Sequence, residues 1–267
     1  MQRAIERQYT SGLSRQNIER ALVTAGLDTG RLQPSDLAPL EDFHTMGRIA
    51  TGQLADIASI VGGDHVLDAG SGIGGTARFL ADTRHSTVTA IDLTQEYCET
   101  TRWLNQLAGL EDRVSVYRGD VVDLPFPDAT FDVVVSQHVQ MNVEDKSTIY
   151  GEARRVLVPD GRLAMWDIVA GTSRKLAYPL PWADHPERSF LVSGETLRAS
   201  VETAGFNVLH WHDLTDEAAT LMEALLTLPP APLGLHAFVD RFAEKAANLT
   251  DGLSDGRLRV VQAVSKR

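Results

Sequence analysis

Cysteine is almost missing from this sequence: Cys98 is the only one in 267 residues. One thiol closes no internal disulfide and builds no cysteine zinc cluster, which fits a cytoplasmic setting. Long apolar runs are missing as well. None approaches the ~20 residues that cross a bilayer, so no membrane span is expected. The opening stretch, Met1 to Arg7, is charged and has no apolar segment of the secretory kind. Basic residues are scarce: 25 Lys and Arg stand against 36 Asp and Glu, a net charge of −11. No basic run offsets this, and Arg154-Arg155 reads as a solvated pair on a helix. A polyphosphate chain would be repelled, so nucleic acid is a poor partner. The eight histidines show neither HExxH nor Cys/His ligand spacing, and no metal is expected.

What is present is a core-forming composition, 43% hydrophobic and 23% charged, enough for one large α/β domain with a small helical cap. Residues 1 to 62 read as helical, through Asn17 to Gly26 and Ile49 to Val61, with a loop at Leu32 to Pro39. From residue 63 strands and helices alternate. Strands are expected at His65–Asp68, Thr87–Asp92, Val114–Arg118, Phe131–Ser136 and Arg162–Val169. The helices between them are Thr76–Thr83, Gln95–Ala108 and Lys146–Leu157. This alternation implies parallel strands joined by right-handed crossovers. Residues 171 to 192, with Pro179, Pro181 and Pro186, look like a lid-like insertion. Then come a helix (Thr196–Ala204), a strand (Phe206–Trp211), two helices (Glu217–Leu228 and Leu235–Asn248) and a last strand, Arg257–Val264. The expected domains are a 1–62 cap and a 63–267 core.

The sharpest local feature is Asp68-Ala-Gly70-Ser-Gly72-Ile-Gly74-Gly75, a strand running through glycines into a helix. Such a turn brings a ligand against bare backbone. Gly70, Gly72 and Gly75 have the glycine spacing of a dinucleotide site. Asp68 argues against a dinucleotide. A carboxylate about 4 Å from a pyrophosphate costs about 4 kcal/mol in a partly screened site. S-Adenosylmethionine has no phosphate, and its ammonium and sulfonium are both cationic. Asp92, ending the second strand, can accept from ribose hydroxyls, with Leu93 against the adenine face. After the third strand, Asp120 can accept from the adenine amine and Val121 can donate its backbone N–H.

These residues together resemble the class I S-adenosylmethionine-dependent methyltransferases. Asp68, Gly70, Gly72 and Gly74 match their nucleotide motif, Asp92 their ribose acid and Asp120 their adenine-side acid. Leu124 to Val135 looks like their run into the fourth strand, and Val156 to Leu163 like their turn into the fifth. The resemblance covers about residues 44 to 267. It implies a doubly wound, seven-stranded, Rossmann-like α/β sheet with an antiparallel last strand, beneath an N-terminal helical cap. Within the class the chain resembles the small-molecule group of sarcosine/dimethylglycine and quinone C-methyltransferases. Asp42-Phe-His-Thr-Met-Gly-Arg48 is similar to the approach segment of the former. Gln137 matches their segment after the fourth strand, whereas His138 to Asn142 departs from it.

The implied reaction is in-line displacement at a sulfonium methyl, with a small-molecule acceptor. His138, at the carboxyl edge of the fourth strand, is the first candidate base. His44 is the second, and His185 in the insertion a third. Cofactor contacts are expected from Asp68, Gly70, Gly72, Gly74, Asp92, Leu93, Asp120, Val121 and Gln137. Tyr9, Tyr178 and Trp182 are candidates for an acceptor pocket, while Met165 and Trp166 read as core. The alternatives are an NAD(P)-dependent oxidoreductase and a non-catalytic S-adenosylmethionine-binding module. A homodimer stays open, as does the acceptor atom: nitrogen, carbon or oxygen.

Overall fold

A computed structural model describes residues 9–30, 32–41, 43–229 and 231–267. The Met1 to Arg7 stretch, Asp42 of the approach segment and Pro230 lie outside the described residues. Seven strands form one sheet: β1 (His65–Ala69), β2 (Thr87–Asp92), β3 (Val114–Arg118), β4 (Phe131–Gln137), β5 (Leu157–Ala170), β6 (Asn207–Asp213) and β7 (Leu258–Lys266). Their spatial order is β3-β2-β1-β4-β5-β7-β6. Strands β1 to β5 pair in parallel, and β7 runs antiparallel between β5 and β6. The order reverses between β1 and β4, so the turns leaving these two strands open a crevice at their carboxyl ends.

Central strands of such a sheet are apolar because helices cover both faces. Val66, Leu67, Val88, Ala90, Ile91, Val133 and Val134 are all buried. On one face lie α2 (Gly47–Ile57) and α3 (Gly75–Thr83), with α7 (Thr215–Leu226) and α8 (Phe242–Ser254). On the other lie α5 (Lys146–Val156) and α6 (Gly194–Thr203). The Asp145 side chain caps α5 by accepting from the Ser147 and Thr148 amides, and Ser193 caps α6 by accepting from Thr196. The remaining helices are α1 (Ser14–Thr24) and α4 (Gln95–Leu107). Ile18 and Leu22 of α1 pack with Leu37, Leu40, Tyr97, Leu104 and Phe238 in a third cluster. Each such aliphatic side chain contributes about 1.5–3 kcal/mol by leaving water. This cluster fixes the N-terminal cap to the sheet layer.

Ala50, Leu54 and Ala55 put α2 in the main core against the sheet. Three expectations change. The predicted loop at Leu32 to Pro39 contains a 3-10 turn, Pro34–Leu37, and runs into a helical turn, Ala38–Glu41. The predicted helix at Leu235–Asn248 is broken. A 3-10 turn, Leu235–Ala237, precedes buried Phe238 and Val239, and left-handed Arg241 (φ 51°) resets the chain before α8. Strand β5 begins at Leu157, earlier than expected, because the Pro159–Gly161 turn is absorbed at a register shift against β4.

Candidate active site

The β1 turn carries Gly70, Gly72 and Gly74 at positive φ (83°, 54° and 84°). Two of these glycines serve different ends. A Cβ on Gly72 would meet nothing within 4 Å, so its bare backbone faces the crevice. A Cβ on Gly74 would lie 2.4 Å from Thr101 Cγ2, so Gly74 lets α3 pack on α4. Gly70, Gly72 and Gly75 line the crevice, while Gly74 serves the packing of α3 on α4.

The other expected cofactor residues converge. Asp68, Asp92, Leu93, Asp120, Val121 and Gln137 line the same crevice, from the ends of four strands. Asp92 Oδ2 accepts from the Gly72 amide (2.9 Å) and Oδ1 from the Thr94 amide (2.8 Å), tying β2 to the glycine turn. Burial pushes the Asp92 carboxyl up from its ordinary value, and these amides oppose the shift. Gln137 is held from both sides: its Oε1 accepts from Thr76 Oγ1 (2.7 Å), and its Nε2 donates to Thr51 Oγ1 (3.4 Å). Three carboxylates at the ends of β1, β2 and the β3 loop thus share a crevice whose described lining includes no lysine or arginine.

His44 and His138 also line the crevice, with ring centroids 6.0 Å apart, edge to face. His138 closes β4 in a left-handed conformation (φ 54°) and its amide donates to Trp166 O (2.8 Å). Its Nε2 accepts from the Thr45 amide (3.3 Å) and lies 3.2 Å from Thr45 Oγ1. Trp166 Nε1 donates to that same hydroxyl (2.9 Å). The hydroxyl proton is then left for His138, which places the His138 ring proton on Nδ1. Burial holds His138 well below the ordinary histidine range, and His44 lowers it further. Burial alone lowers His44 to about 4. His44 Nε2 is 3.0 Å from Thr51 Oγ1.

A family model described as a methyltransferase domain matches residues 67–165. Methyltransferase GfsG of Streptomyces halstedii is 31% identical over 82% of this chain and 76% of its own length. The chain belongs to the S-adenosylmethionine-dependent methyltransferases. Glycine/sarcosine/dimethylglycine N-methyltransferase of Actinopolyspora halophila is 32% identical over 67% of this methyltransferase and 32% of its own length. The chain thus spans about three quarters of the length of the first relative and about a third of the second. Geranyl diphosphate C-methyltransferase from Streptomyces coelicolor A3(2) shares the fold, with TM-score 0.74, 18% identity, and 100% of this chain and 97% of that one covered.

Several residues of the methyltransferase's crevice have no motif in the sequence. Tyr9 OH donates to Asn142 Oδ1 (3.1 Å), joining the cap to the turn after β4. Glu41 lines the crevice and is buried with Arg78: Arg78 Nε donates to it at 2.5 Å, and Arg48 Nη2 at 2.9 Å. Arg78 also donates to Ile73 O in the glycine turn and to Asn105 Oδ1. Phe43, Tyr97 and Phe238 complete the wall. Among the expected acceptor-pocket residues, Tyr9 is in place, while Tyr178 and Trp182 pack against the main core. Trp182 Nε1 donates to Ser189 Oγ (2.9 Å). His185 is exposed and lines neither this crevice nor its neighbour. Met165 and Trp166 are buried in β5 as expected. Among the described residues no helix is long and apolar enough to cross a membrane.

Proposed function

We propose that this methyltransferase moves a methyl group from S-adenosylmethionine to a small-molecule acceptor, at the carboxyl edge of β1 and β4 and beneath residues 9–43. The observation that carries the reading is the charge of the crevice. Asp68, Asp92 and Asp120 line it, without a lysine or arginine among its described residues. That set suits a cationic ligand, and a pyrophosphate placed there would meet about 4 kcal/mol of repulsion from one carboxylate at ~4 Å. This weighs against the oxidoreductase alternative. When bound, S-adenosylmethionine supplies an electrophilic methyl on a cationic sulfur.

The chain's own residues bind, orient and exclude water. Asp68 would hold the α-ammonium. Asp92 has lone pairs beyond the two taken by Gly72 and Thr94, and these would accept from ribose hydroxyls. Leu93, Asp120 and Val121 would hold the adenine, and Gly70 and Gly72 leave room for backbone contact. Gln137, fixed by Thr76 and Thr51, would orient the ligand where β4 ends. His138 takes the role of a neutral donor through Nδ1–H rather than that of a base, since its Nε2 is engaged by Thr45. His44 is neutral above about pH 4, and its Nε2 is likewise engaged, by Thr51 Oγ1, so it too would serve as a neutral ring that shapes the site. The Tyr9–Asn142 bond ties the cap to the turn after β4 at the crevice wall. Buried Cys98 suits the reducing conditions of a cytoplasmic protein.

The test is a thermal-shift series at matched concentrations. S-Adenosylhomocysteine should raise Tm and NAD should not. The reverse order would sink the reading.

A further inference from the structure

A second cavity, open to solvent and about 820 Å³, adjoins the crevice. The two share Tyr9, Phe43, Tyr97 and Phe238, so one aromatic wall faces both. Tyr9 and Tyr97 are 6.0 Å apart, centroid to centroid, and Tyr97 and Phe238 6.1 Å. The break at Arg241 brings Phe238 to this wall. The far side comes from Pro181 and Asp184 of the 171–192 segment and from the start of α8.

Size is the first constraint on an occupant. Pockets for drug-sized ligands run from about 300 to 1,000 Å³. An acceptor of a few heavy atoms, such as an N-methylated amino acid, would leave most of this space to water. Charge is the second constraint. Lys245 is 4% exposed, yet its Nζ lies 3.2 Å from Asp184 Oδ1. Arg241 and Glu244 pair at 2.8 Å. The lysine and the arginine of the described wall are thus matched by carboxylates, and Asp240 adds a further carboxylate to it. An anionic ligand would have to displace a carboxylate from a buried lysine, and separating such a pair is costly. A third constraint is polarity. The aromatic wall suits apolar surface, and the paired ions and Asn17 suit hydroxyl and carbonyl groups.

We propose that this cavity is the acceptor chamber, and that it takes a polyoxygenated molecule of drug-like size that carries no negative charge. This rests on the reading given under Proposed function. It separates this chain from enzymes acting on zwitterionic amino acids or on diphosphates.

The experiment is calorimetry on the full chain saturated with S-adenosylhomocysteine. Three probes are compared: dimethylglycine, geranyl diphosphate and erythronolide B, a neutral hydroxylated macrolactone. Erythronolide B should bind at least tenfold more tightly than either charged probe. Ala243→Trp fills the cavity from an exposed position at the start of α8, and Ala237→Tyr fills it from the preceding turn. Each should weaken erythronolide B at least tenfold and leave S-adenosylhomocysteine affinity unchanged. Tighter binding of either charged probe overturns the proposal. So does absent binding of erythronolide B, or binding that both variants leave untouched. A wild-type chain that fails to bind S-adenosylhomocysteine overturns the cofactor reading instead.

Discussion

The strand-end crevice and the cavity beside it are built on different principles. The crevice is made at the ends of neighbouring strands, with glycine backbone and one carboxylate from each of β1, β2 and the β3 loop. Each element delivers one residue at a fixed place, so spacing along the chain becomes spacing in the site. The cavity is made of side chains from Tyr9, Tyr97, Asp184, Phe238 and Lys245, which no short motif joins. A frame of backbone and strand ends is fixed by the fold, whereas side chains on loops and helix ends can change without disturbing it.

The comparison can be broken in four ways, beginning with the largest effect. Glu41 joins the cap to the frame through buried Arg78. Glu41→Ala should destabilise the protein by about 3–5 kcal/mol, the usual result of stranding a buried charge, as read by urea denaturation. A loss below 1 kcal/mol would mean that the two regions are energetically separate. Next, Asp92→Ala should weaken S-adenosylhomocysteine binding by about 1.5–3 kcal/mol in calorimetry, through lost charge-assisted hydrogen bonds. Unchanged affinity would remove Asp92 from the frame.

The third effect is a pH dependence. His44 is lowered to about 4 in the folded chain, against about 6.5 when unfolded. Between these values the unfolded chain binds the proton first. The stability contribution is complete above pH 6.5 and is lost as pH falls toward 4. From pH 7 to pH 5 His44 should remove about 2 kcal/mol. His44→Gln should flatten the pH profile by that amount, and parallel profiles would show that His44 is not neutral and buried. The smallest effect belongs to Tyr9. Tyr9→Phe deletes one hydrogen bond, worth about 0.5–1.5 kcal/mol. It should raise the acceptor KM severalfold and leave cofactor affinity unchanged. A matched loss in cofactor affinity would show that the crevice and the cavity are one site.

Legibility followed the same division. Asp68, Gly70, Gly72, Asp92, Asp120 and Gln137 reach the crevice because each sits at or just past a strand end, and strand ends show where short apolar runs stop. The packing role of Gly74 has no signal in the sequence, because a cofactor glycine and a packing glycine have the same identity. Only the neighbouring Thr101 tells them apart. Tyr178 and Trp182 are candidates for the acceptor pocket because 171–192 reads as a lid-like insertion, yet their rings pack against the core. The Glu41–Arg78 pair had no signal, since 37 positions separate its members and neither belongs to a motif. His138 was found by position, but its role depends on the Thr45 contact, which only the fold supplies.

The placement of β7 also bears on how the molecule assembles. Each strand from β1 to β3 pairs with the strand next to it in sequence, across a single helix. β7 must reach back to β5, joining Arg162 to Lys266, and β6 has β7 as its strand partner. Closing so long a loop is entropically slow, whereas the β1–β3 pairings are comparatively local. The glycine turn and the Asp92 carboxylate are therefore expected to take shape early. The β5-β7-β6 half and α8 packed against it would follow, so that the frame for the cofactor exists before the chamber beside it.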